Sequence, residues 1–174
     1  MPKGGFGAGD PGLFAYVSYQ RRNEGEVSGM HASRHHEIAC AVIIDTRGRF
    51  LFQRRDDVAG ILHPGKVGLF GGHREDDETF LECVVREIRE EISFPVPPTC
   101  FQYLASFDGP DIDTGGSVRG EFFITRDIPA DALVITEGSL LIVKRNEIIE
   151  MERELTPTAR FAMRAFLDQR LNRD

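Results

Sequence analysis

Apolar positions recur along the chain in two rhythms, and the change of rhythm marks where the chemistry sits. Glu37 to Asp45 (EIACAVIID) is an apolar run rich in β-branched residues, which predicts a buried strand. Thr46-Arg47-Gly48 reads as a hairpin turn, and Arg49 to Arg54 as the returning strand. Residues 56–65 hold Asp-Asp, Gly-Ile and His-Pro-Gly and read as a loop. Val67 to Phe70 is a short strand leading into Gly71-Gly72, where glycine lets the backbone approach a ligand closely. The period then turns helical: Leu81, Val84, Val85, Ile88 and Ile92 share one arc at about 100° per residue. Thr79 with Glu82 three residues on forms a capping box at the start of this helix. Pro95, Pro97 and Pro98 prevent it continuing.

Beyond the helix, Cys100 to Phe107, Arg119 to Thr125, Leu133 to Thr136 and Leu140 to Val143 read as strands. Asp108 to Ser117 (DGPDIDTGGS) reads as an acidic, glycine-rich loop, and Asn146 to Met151 as a short helix. Thr156-Pro157 supplies an N-cap and a first-turn proline for a last helix through Leu171, with Phe161, Ala162, Ala165 and Phe166 as its apolar face. Before all this, residues 1–12 are rich in glycine and proline and are expected to be a flexible tail. Leu13 to Tyr19 is strand-like, and Asn23 to Arg34 is a polar loop. Strands and two main helices in mixed order predict an α/β layer fold, with one domain over residues 13–174.

The first helix has a second face. Glu87, Glu90 and Glu91 stand at i, i+3 and i+4 and occupy an arc of roughly 100°. The helix would thus bury one side and present three like charges on another. Such charges repel, at a cost of a few tenths of a kcal/mol per pair. A hard divalent cation would offset it, since Mg²⁺ takes carboxylate oxygens. The plain alternative is a solvated acidic face with Arg86 and Arg89 as partners.

Composition narrows the functions. At 174 residues, 41% hydrophobic and 28% charged, the chain has the make-up of a soluble globular domain. A net charge of −7 argues against sequence-independent nucleic-acid binding, which needs a basic surface. Three cysteines without CxxC spacing fit reduced thiols in a cytoplasmic setting. The N-terminus lacks a signal pattern, and the apolar run Ile38 to Ile44 is too short to span a bilayer. His31, His35 and His36 cluster without an acid or cysteine at ligand spacing, and read as surface.

Gly72, five residues, Glu78, seven residues, then Arg86-Glu87-Ile88-x-Glu90-Glu91-x-x-Phe94 resembles the signature box of the Nudix hydrolases, G-x5-E-x7-R-E-U-x-E-E-x-G-U with U a bulky apolar residue. Eight of nine specified positions match, and the exception is Ser93 in place of glycine. Ser93 closes the helix where positive φ is favoured, so serine there should cost about 1 kcal/mol and leave the carboxylates intact.

The resemblance implies an α/β/α sandwich around a mixed sheet. It also implies a metal-dependent hydrolase of a nucleoside diphosphate linked to another moiety. It places Mg²⁺ or Mn²⁺ on Glu87, Glu90 and Glu91, one of which serves as base, with the Gly71 carbonyl as a further ligand. It casts Glu78 and Arg86 as a structural ion pair. An acid outside the box completes such sites, with Glu121 first, Glu137 second, and Asp111 and Asp113 third. Arg54 and Arg55 are candidates for phosphate contact, with Glu137, and His73 is not counted as a ligand. The partner is a small nucleotide-type diphosphate; neither nucleic acid nor membrane is expected, and a homodimer stays open. A binding or sensor domain without turnover is the alternative, disfavoured because every box glutamate is present. An isoprenoid-diphosphate isomerase would carry a degraded box.

Overall fold

The computed structural model describes residues 34–111 and 116–171. The expected tail, the strand at Leu13 to Tyr19, His31 and Asp113 lie outside the described residues.

The fold is laid out on β1 (Arg34–Asp45), where apolar and β-branched residues run together. Along one edge β1 pairs in parallel with β6 (Gly116–Ile128). Its other edge is divided between two antiparallel partners. β4 (Phe70–His73) takes residues 38–41, and β2 (Phe50–Arg54) takes Ile43 and Ile44. β2 pairs onward with β3 (Val67–Gly68) and β7 (Ser139–Val143), and β6 with β5 (Gln102–Asp111). The result is one mixed seven-stranded sheet.

Alternation along the strands sends side chains to two separate cores. Ala39, Ala41, Ile43, Leu51, Phe70 and Phe123 face α1 (Phe80–Ile92), which buries Val84, Ile88 and Ile92 against them. Cys40, Val42, Ile44, Phe50, Phe52 and Phe122 face α2 (Pro157–Leu171), which adds Ala162, Met163 and Phe166. Helices therefore cover both faces, and the α/β/α sandwich is the architecture observed.

α1 begins as its sequence directs. The Thr79 side chain accepts from the Glu82 N–H, and the Glu82 carboxylate accepts from the Thr79 N–H at 2.7 Å. It ends on Ser93, which adopts φ 48° and ψ 33°, the left-handed conformation expected there. Three expectations are revised. Asp108 to Ser117 is mostly ladder, because β5 and β6 stay paired out to Asp111 and Gly116. Backbone pairing overrides the poor strand propensity of those residues. Leu133 to Thr136 is not a strand. Its alternation arises because Leu133 and Ile135 pack on the α1 core while the N–H groups of Val134 and Thr136 donate to the Ile92 and Glu91 carbonyls. Those carbonyls, at a helix C-terminus, have no partner within the helix. Finally, the expected helix Asn146 to Met151 is a 3-10 turn at Arg145–Glu147 followed by further turns.

Candidate active site

β4 and α1 build the site between them. Gly71 has φ +133°, and a Cβ there would stand 2.2 Å from the Ala39 carbonyl oxygen, so only glycine fits. Its N–H donates to Glu91 Oε2 at 2.7 Å. At Gly72 a Cβ would meet the Glu87 carboxylate at 2.5 Å. The glycine pair thus gives one glutamate an amide donor and another a place to lie.

The three glutamates differ sharply in setting. Glu90 is exposed, with 61% of its side-chain surface accessible, and Glu87 is mostly covered. Glu91 is buried at 9% exposure, so the plain alternative of a solvated acidic face does not hold for it. Its second oxygen accepts from Gln53 Nε2 at 3.2 Å. Burial pushes the Glu91 carboxyl up from its ordinary 4.5 to about 7. The Gly71 donor opposes that rise, and the charges of Glu87 and Glu137 add to it.

Arg86 holds the group together. Its Nη2 and Nε meet the two Glu78 oxygens at 2.7 and 3.1 Å in a fork. Its Nη1 bridges Glu87 at 2.9 Å and Glu90 at 3.4 Å. The guanidinium holds the Glu78 carboxyl down to about 2. Arg86 Nη2 also donates to the His73 carbonyl, while the His73 ring packs edge-on against His36. Arg74 ties the loop before α1 back to β1 through Glu37.

The outside acids fall at two places. Register puts Gly72, Ala39 and Glu121 in one row across β4, β1 and β6. Strands lie about 4.8 Å apart, so the Glu121 Cα is roughly 10 Å from that of Gly72. Glu121 points to the α1 face, with Arg119 3.8 Å away. Glu137 stands at the C-terminal end of α1, where its charge reaches Glu91. Asp111 is the last residue of β5. The arginines are not brought to the glutamates. Arg54 lies on the opposite sheet face with Phe50 and Phe52, bonded to Glu154 and the Gly65 carbonyl. Arg55 donates to the Leu62 carbonyl.

The donor set suits a hard divalent cation: it is made of carboxylate oxygens, and the buried Glu91 carboxyl is raised by burial and by the charges of Glu87 and Glu137. Among the described residues no three Asp, Glu, His or Cys side chains stand together as a ready-made cluster.

The NUDIX domain family model matches residues 34–162, well over half of the chain. The chain belongs to the Nudix family. As a Nudix hydrolase it is a pyrophosphohydrolase, an enzyme acting on phosphoric anhydrides. Among curated proteins, no relative matches the sequence. Solved structures share the fold. The MutT protein from Methanosarcina mazei Go1 superposes with a TM-score of 0.66 at 24% identity, covering 83% of this chain and 100% of its own. The E. coli ORF135 protein gives 0.64 at 21% identity over 84% and 98%. A bifunctional NMN adenylyltransferase/ADP ribose pyrophosphatase from Francisella tularensis gives 0.64 at 15% identity, over 90% of this chain and 46% of that longer one.

Two parts of this Nudix site escape a reading of the sequence. Gln53 is one; its signal is a polar residue where the alternation of FLFQR calls for a core side chain. The other is the Thr136 hydroxyl, which donates to the Glu90 carbonyl at 2.8 Å and lies 3.2 Å from that of Glu91. Among the described residues no helix is long and apolar enough to cross a membrane.

Proposed function

We propose that the chain hydrolyses a nucleoside diphosphate linked to another moiety, using Mg²⁺ or Mn²⁺. The observation that carries the reading is Glu91, a buried carboxylate held by the Gly71 N–H beside Glu87 and within the field of Glu137. Such crowding of negative charge away from water is costly unless a cation shares it.

Glu87, Glu90 and Glu91 would hold the ion, with the Gly71 carbonyl and Glu121 completing the set. When bound, the cation supplies charge that neutralises the diphosphate and makes a nearby water more acidic. A glutamate of the box takes the proton of the attacking water, and the buried position of Glu91 keeps its carboxylate oriented as it does so. Water attacks one phosphorus, and a nucleoside monophosphate or another phosphate-bearing product leaves. Glu78 stays outside the chemistry and fixes Arg86. Arg55, at the start of the loop at 56–66, would meet substrate phosphate after releasing the Leu62 carbonyl, whereas Arg54, on the opposite sheet face, would not. The Francisella protein, whose structure was solved with AMP and a manganese ion, supports this choice of ligand and metal by fold alone.

The test is turnover of a panel with and without Mg²⁺: nucleoside triphosphates, nucleotide sugars, ADP-ribose and dinucleoside polyphosphates. Glu90→Gln runs alongside. Turnover of one class that needs the metal and falls about 100-fold in the variant supports the reading, since even outer partners of a metal site cost roughly 10–100-fold. Near-normal turnover by Glu90→Gln with Mg²⁺ sinks the metal assignment. Tight nucleotide binding without turnover makes the domain a sensor instead.

A further inference from the structure

We propose that Gln53 is a positioning residue that fixes the Glu91 carboxylate for the cation; the proposal rests on the metal-dependent reading above. Gln53 sits where the core expects an apolar side chain. Along β2, Phe50 and Phe52 face α2, while Leu51 and Gln53 face α1. It is 2% exposed. A buried amide must find partners, and its Nε2 has two acceptors at 3.2 Å: Glu91 Oε1 and the Glu137 carbonyl.

The connections span three elements. The β2–β7 ladder ends with Arg54 opposite Ser139, so the Glu137 carbonyl lies just past the end of the ladder. Gly138 packs so tightly there that a Cβ would stand 2.4 Å from the Arg54 carbonyl oxygen. One glutamine nitrogen therefore ties β2, the last turn of α1 and the turn carrying Glu137. Glu91 then has one protein donor on each oxygen, Gln53 on Oε1 and Gly71 on Oε2. Each carboxylate oxygen offers two acceptor directions, so each keeps one for an ion. The carboxylate is oriented and still free to coordinate, which is what an outer partner of a metal ligand does. An aliphatic residue would fill the same space and leave Oε1 without its donor.

The experiment measures Mn²⁺ affinity from the electron paramagnetic resonance signal of the free ion, with thermal melts of the metal-free proteins alongside. Gln53→Met removes the donor at similar volume, and Gln53→Asn keeps the amide but shortens its reach. Both should weaken Mn²⁺ binding about tenfold or more while the protein stays folded. In a Glu91→Gln background the same changes should alter affinity by less than about twofold, because Gln53 acts through Glu91. A lowered melting temperature with wild-type Mn²⁺ affinity overturns the proposal and leaves Gln53 a core amide. So does an equal loss in both backgrounds.

Should neither variant fold, the wild-type protein decides by NMR. The side-chain NH₂ signals of Gln53 should shift as Mg²⁺ saturates, and unmoved signals overturn the proposal. Wild-type protein that binds no Mn²⁺ would instead bring down the metal-dependent reading itself, an outcome read before any variant is made.

Discussion

Gly71 and Gly72 are neighbours, yet an added methyl meets a different obstacle at each. At Gly71 it strikes the β1 backbone, which cannot yield, and φ +133° adds strain of roughly 1–3 kcal/mol. Gly71→Ala should therefore lower the melting temperature by several degrees. At Gly72 the methyl strikes the end of the Glu87 side chain, which can swing away. Gly72→Ala should melt close to wild type and lose about tenfold or more in turnover. Thermal melts and rates on the same samples would separate the two; a folded, fully active Gly72→Ala would show that Glu87 has no fixed role. Ser93 gives a third residue-scale test. Its φ of 48° suits glycine, so Ser93→Gly should gain about 1 kcal/mol, or roughly 2–4 °C at this size. An unchanged or lower melting temperature would refute the strain argument.

At the scale of elements, residues 134–138 are the part least legible in the sequence and the part that ties the helix end to the sheet. Alternation in LVIT looks like a strand because two of its residues feed a core. What the segment pairs with is the end of a helix, and no local pattern in it encodes that partner. The box helix was legible from end to end because its cap, its apolar arc and its proline stop are all local signals. β5 and β6 run on to Asp111 and from Gly116, further than the sequence reads, because the glycine and aspartate there are weak strand formers held by a long ladder. Thr136→Val tests the segment. It removes the hydroxyl bonds to the Glu90 and Glu91 carbonyls and should cost about 1 kcal/mol, since net hydrogen bonds are worth roughly 0.5–1.5 kcal/mol. Turnover should fall with it, because the end of α1 carrying Glu90 and Glu91 loosens. A variant with wild-type stability would mean that the backbone bonds alone hold the helix end.

The whole molecule feels these carboxylates through pH. Glu91 has a folded pKa raised to about 7 from 4.5, so its protonated form favours the fold. That contribution is complete below about 4.5 and is lost as pH rises through about 7. Glu78 is the opposite case. Its folded pKa is lowered to about 2 by the Arg86 bonds, so its contribution is present above 4.5 and is lost as pH falls toward 2. From these two groups, metal-free protein should then be most stable near pH 4.5 and lose stability toward pH 7 and toward pH 2. Melts across pH 3–9 check this: Glu91→Gln should flatten the alkaline limb, and saturating Mg²⁺ should flatten it in the wild type. An alkaline limb that survives in Glu91→Gln would assign it to another group.

Arg86 carries one more consequence. A guanidinium shared between Glu87 and Glu90 is a resident counter-ion, built into the chain. The fold therefore does not wait for a dissolved cation to quiet the repulsion between Glu87 and Glu90, as small zinc domains wait for their metal to fold. On the metal-dependent reading, an arriving ion would displace a tenant, and its affinity would be a difference between two occupants and not the full attraction of bare carboxylates. Loading and unloading then become an exchange that the protein survives in either direction. On that same reading, chelation should silence the enzyme and leave its architecture standing, with activity restored when the metal is returned.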